Sequence, residues 1–164
     1  RRCYSYKKTD MRKLFGLVIF VLALLAFIFI SSDSEGFSHR QGESFVEFPS
    51  GAIVTVDIAD DKIEREKGLA GRGSLLADEG LLFLHDESAY QKYWMKGMRI
   101  PIDIIWIDGD RVVGFVIDAQ PEEPPTTIYT SPSPVDKVLE VSAGFVLQND
   151  LETDDILDIV IVDE

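Results

Sequence analysis

A chain of 164 residues has room for one domain and an appendage, and the single cysteine, Cys3, excludes an intrachain disulfide. The first 13 residues hold six of the 16 lysines and arginines and one of the 29 acids, so everything after Lys13 carries ten basic and 28 acidic residues, a net of −18. Such a surface repels nucleic acid and anionic lipid, which excludes both as partners of the domain.

Six basic residues in the stretch 1–13 precede Leu14 to Ile30, an unbroken run of 17 apolar or glycine residues. That length is near the lower limit for a helix spanning a bilayer. The run predicts a single transmembrane helix over 14–30, with a cytoplasmic start and an extracytoplasmic remainder by the positive-inside rule. A cleaved signal peptide is the alternative, but no small-x-small site follows the run. No cysteine follows it either, so a lipid-anchored form is excluded. Residues 31–44, SSDSEGFSHRQGES, are polar and aperiodic and read as a tether. The folded domain is expected over 45–164.

In chain order, SFVEF and AIVTVDIA form two strands around the turn Pro49-Ser50-Gly51. The segment from Ala59 to Arg72 is helical, with Asp61 and Glu64 spaced as a capping box and Gly68 ending the helix. Strands follow at Gly80–Leu84, Tyr90–Lys96 and Ile102–Ile107. The last pairs with Arg111–Asp118 through the turn Asp108-Gly109-Asp110. Residues 120–134 hold five prolines and read as an exposed excursion. A short strand at Val138–Val141, a helical turn capped by Ser142, and a strand at Ile156–Val162 complete the domain. The fold class is mainly β, sandwich or barrel-like, with two short helices.

The segments EREKGLAGR (Glu64–Arg72), DEGLLFLHD (Asp78–Asp86), YWMKGMRIPIDIIWID (Tyr93–Asp108) and VLEVSAGF (Val138–Phe145) resemble, in order and spacing, the domain of unknown function 192 family. The resemblance covers 54–162. It implies a compact β-rich fold, often exported or behind one anchor, and no established activity. One departure is Gly97, where the family usually has Asn.

The chemistry must be read from the residues. Trp94 and Lys96 share a face, with Tyr93 and Met95 opposite. The short connection to Pro101 allows Asp103 to fold back near Lys96, as an ion pair or as the floor of a pocket. Glu140 interrupts an otherwise apolar strand and needs a partner if it points inward, for which Arg65 or Arg72 could form a clamp. In the functional reading Arg65, Arg72, Lys96, Asp103 and Glu140 line a small-molecule pocket beside Trp94. Trp106, among isoleucines, belongs in the core. His85 is the only histidine after residue 44, which argues against a multi-histidine zinc site, and it reads as a solvated or capping residue. No cofactor or metal motif is present: there is no phosphate loop and no G-x-S-x-G, and the acidic pairs Asp60/Asp61 and Asp154/Asp155 read as caps and solvated surface.

These features describe a membrane-anchored, extracytoplasmic module that binds a small-molecule, glycan or peptide ligand without catalysis. An envelope hydrolase using Asp103 or Glu140 as acid or base is the first alternative. An accessory subunit of a membrane protein is the second. The topology is checked by adding protease to intact spheroplasts: cleavage within 31–44 is expected, and full protection would place the domain inside the cell.

Overall fold

The computed structural model describes residues 42–162. The expected anchor at 14–30 and most of the expected tether lie outside the described residues. Among the described residues no helix is long and apolar enough to cross a membrane.

The domain is mainly β with two short helices. A seven-stranded sheet runs in the order β6 (Arg111–Ala119), β5 (Ile102–Asp108), β8 (Val135–Ser142), β3 (Glu79–Ala89), β2 (Ile53–Ala59), β1 (Phe45–Glu47), β9 (Asp158–Val160). Every pairing is antiparallel except β2 with β3, which a crossover containing α1 (Lys62–Lys67) connects. The sheet curls until its ends meet: Ile156, just before β9, bridges Arg111 at the start of β6. Backbone bonds from Val112 N to Asp155 O and from Leu157 N to Asp110 O, both 2.9 Å, hold the seam. Of the sandwich and barrel-like alternatives, the chain forms a curled half-barrel.

The central strand β5 is apolar on both faces, because both are covered. Ile105 and Ile107 join Val46, Val54, Leu139 and Phe145 in one core cluster. Ile102, Ile104 and Trp106 join Leu69, Phe83, Met95 and Val138 in a second. The hairpin β5–β6 forms as expected, around Gly109 at φ 64. The capping box of α1 forms too: Glu64 N donates to Asp61 Oδ1 at 2.8 Å, and the Glu64 carboxylate accepts from the Asp61 N–H. Gly68, at φ 50, ends that helix.

Three expectations need correction. The strand expected at Tyr90–Lys96 shrinks to β4 (Lys92–Tyr93), which pairs not with the main sheet but with β7 (Tyr129–Thr130) in a two-stranded ribbon. The reason is the bend beyond it, where Gly97 adopts φ 71 and its carbonyl accepts the Gly71 N–H at 2.9 Å. The proline-rich excursion is therefore not wholly irregular, since β7 lies within it. Ser142 does not cap the second helix, α2 (Phe145–Gln148): its hydroxyl donates to Leu75 O and Leu76 O at 3.2 and 2.9 Å.

The cap comes from another strand. Asp103, on β5 and fully buried, accepts from Gly144 N at 3.1 Å and Val146 N at 2.9 Å, and also from Asp118 N at 2.8 Å. Asp118 sits at φ 55, a conformation that costs a non-glycine residue energy and that this bond helps to hold. One carboxylate thus fixes the end of β6 and the entry to α2 against β5.

Asp103→Ala leaves three N–H groups without their acceptor and is expected to cost about 3–5 kcal/mol in urea denaturation. Trp106→Ala, at a side chain 1% exposed, is expected to cost about 3–5 kcal/mol by the cavity it opens. Trp94→Ala, at a side chain 57% exposed, is expected to cost under about 1 kcal/mol.

Candidate functional site

A cavity of about 690 Å³ lies over the β3–β8 face of the sheet, between α1 with its following loop and the segment 91–98. Its floor comes from alternation along two strands. On β8, Val138 and Glu140 face one way while Leu139 and Val141 enter the other core. On β3, Leu81 pairs with Glu140 in register, and Phe83 and His85 continue the same face. Tyr93 leans over this floor, edge-on to Phe83 at 4.9 Å and to Trp106 at 5.6 Å. Its hydroxyl lies 3.2 Å from His85 Nε2. Gly68 brings bare backbone against the floor: a Cβ there would stand 3.4 Å from Phe83 Cζ and 3.9 Å from Glu140 Oε2.

Glu140 is the unusual member. It is 5% exposed, it lines the cavity, and its Oε2 has no hydrogen-bond partner. Burial pushes its carboxyl up to about 8, with no cation to offset the effect. Burial and the nearby Glu140 charge raise the Tyr93 phenol. Burial, then the Arg65 guanidinium, lower His85 below its ordinary value. At neutral pH the floor therefore presents a protonated carboxyl, a phenol and a neutral imidazole.

The rim is the opposite in character. Lys62, Arg65, Lys67, Lys92 and Lys96 line it, with Glu66 as its one acid. Arg65 is held by two carbonyls, Asp60 O and, at 2.9 Å, Leu84 O. Lys62 Nζ pairs with Glu66 at 3.8 Å. Lys96 Nζ lies over the Trp94 ring, 5.8 Å from its centroid.

Four of the six residues singled out from sequence, Arg65, Trp94, Lys96 and Glu140, line this one cavity. Arg72 does not; it forms an ion pair with Asp57. Asp103 does not reach Lys96 either, because its face of β5 is the one under α2. The expected Lys96–Asp103 pair is absent, and so is an arginine clamp on Glu140: Arg65 spends its NH1 on carbonyls and Arg72 bonds elsewhere. His85, read as solvated or capping, is half-buried and bonded to Tyr93. His85 and Tyr93 were missed as lining residues by sequence reasoning; the signal for His85 is that Leu81, Phe83 and His85 alternate toward one face of β3.

Residues 45–159 match the domain of unknown function 192 family, described as an uncharacterized ACR. The chain belongs to this family. Two solved structures are similar. One is a protein of unknown function from Novosphingobium aromaticivorans, 28% identical, covering 71% of this chain and 83% of its own at a TM-score of 0.65. The other is titled a putative transcription regulator from Sinorhizobium meliloti, 31% identical, covering 71% of this chain and 92% of its own at a TM-score of 0.64. No curated protein matches the chain. Gly97 sits at positive φ, a conformation that glycine adopts without strain.

Glu140 ties stability to pH. Its folded value, about 8, exceeds the ordinary 4.5, so the folded state holds the proton more tightly. That stabilisation is complete below about pH 4.5 and disappears as pH rises through about 8. Glu140→Gln cannot ionise. Its melting temperature is expected to match wild type near pH 5 and to exceed it near pH 9, by about 2–4 kcal/mol in denaturation. Equal pH profiles for the two proteins would show that Glu140 does not titrate from a buried position.

Proposed function

We propose that this protein is a membrane-anchored, extracytoplasmic module that binds a small-molecule ligand in the cavity over Glu140 and does not transform it. One observation carries the reading: Glu140, whose buried carboxyl has an oxygen without a partner, is one of the residues that line a cavity of about 690 Å³. A buried, unsatisfied polar atom costs about 1–3 kcal/mol, and such groups persist where a ligand completes them. The cavity volume is in the range of small-molecule sites. Trp94, exposed at the rim, offers the ring face that a sugar or planar ligand stacks on.

The hydrolase reading has one point in its favour, the raised Glu140 carboxyl, which suits a general acid. Paired-carboxylate hydrolysis needs a second acid facing the same space. Asp103 is committed to the α2 cap, and Glu66 is an exposed rim residue paired with Lys62. The accessory-subunit reading asks for a flat apolar patch around a tryptophan; Trp106 is enclosed and Trp94 stands beside lysines at the edge of a concavity. The description of the Sinorhizobium relative as a transcription regulator is opposed here by the net charge of −18 beyond Lys13.

The full chain purified under native conditions is expected to release a small molecule on denaturation, detected by mass spectrometry. Trp94→Ala and Glu140→Gln are expected to fold and to carry less of it. Release of product from chromogenic glycosides or esters, lost in Glu140→Gln, would instead establish the hydrolase.

A further inference from the structure

The distribution of charge around the cavity narrows the ligand class, on the premise that the cavity is a binding site. Beyond Lys13 the chain has ten basic residues against 28 acids, yet five of those ten line this one opening. Lys62 is neutralised by Glu66. Among the described residues Arg65, Lys67, Lys92 and Lys96 have no acidic partner within ion-pair distance, whereas elsewhere on the domain Arg72, Arg111 and Lys137 are paired and Arg99 is not. A cationic collar on an acidic domain draws an anion to this place and repels it from the surrounding surface. Nothing on the floor opposes it, since His85 and Tyr93 are neutral and Glu140 keeps its proton at neutral pH.

Two further features say what the anion is attached to. Trp94 is more than half exposed, at 57%, and Lys96 Nζ covers only part of its surroundings, leaving ring surface for a stacked group. Glu140 Oε2 has no partner and is closed off beneath the cavity floor, so a ligand hydroxyl would reach it only as the covering groups part. A simple inorganic anion satisfies the collar but neither the ring nor the floor. An aromatic acid without a hydroxyl satisfies the collar and the ring but leaves Glu140 without a partner.

We infer that the cavity binds an acidic sugar, with its oxyanion against Arg65, Lys67, Lys92 and Lys96, its ring on Trp94 and a hydroxyl at Glu140. The chemistry recognised is a carboxylated pyranose, free or as the end of a longer glycan.

Isothermal titration of the full chain with glucuronate, glucose and benzoate tests this. Glucuronate is expected to bind at least about tenfold more tightly than glucose or benzoate, and to weaken at high salt. Lys67→Ala and Lys96→Ala are expected to weaken glucuronate by about three- to tenfold each and glucose by less. Both lysines are exposed, so the melting curves should not move. Glucose binding as tightly as glucuronate would overturn the anion and leave the binding site standing. Tighter benzoate would overturn the sugar. No binding of glucuronate overturns the inference even if some other small molecule co-purifies; only the lack of any co-purifying ligand removes the binding site as well.

Discussion

Asp103 accepts three backbone N–H groups, one of them in a buried bond and two in part-buried ones, and the arrangement of the half-barrel depends on it. Two of the three belong to the entry of α2, a four-residue helix too short to hold itself. The third belongs to Asp118, where β6 turns out of the sheet. Remove the carboxylate and the inner core loses the element that carries Phe145 and Val146 into it. A buried carboxyl with this much hydrogen bonding is satisfied; one without it remains a cost to the fold.

Glu140 is that second case, and it stands on the neighbouring strand. In register, Ile104 faces Glu140 and Asp103 faces Val141, so the two acids project from opposite faces of one sheet. On Asp103's face the acid meets backbone donors. On Glu140's face it meets Phe83, Tyr93 and the bare backbone of Gly68, and one oxygen meets nothing. Sequence spacing alone does not separate them. Each is a lone acid in an apolar strand, and the alternation that assigns a face does not say what covers it.

That limit explains which parts were legible. The β5–β6 hairpin, the capping box at Asp61, and the contrast between Trp94 and Trp106 follow from local rules: turn chemistry, N-cap geometry, and the company each residue keeps. Trp94, Lys96, Arg65 and Glu140 were legible as polar or exposed exceptions to an apolar pattern, and they converge on one cavity. What could not be read was long-range. The acceptor for the α2 entry lies about forty residues away on Asp103, and the partner of β4 lies inside a proline-rich stretch that local rules class as irregular.

The proline-rich stretch bears on the site in a way its composition conceals. Glu122 accepts from Thr126 N, Thr126 Oγ1, Thr127 N and Thr127 Oγ1, which holds its carboxyl down to about 2 and closes the loop on itself. The loop so closed presents Tyr129 and Thr130 to β4, where Tyr129 pairs with Tyr93. Ser131 adds two bonds to the same segment: its N–H donates to Gln91 O and its hydroxyl accepts from Gln91 N, both at 3.0 Å. Tyr93 is thus fixed from behind by the loop and from the front by Phe83 and His85. Met95, buried two residues on, pins the other end. Between these two fixed points Trp94 has no choice but the outward face, which is why an indole stays in solvent beside the mouth of the cavity.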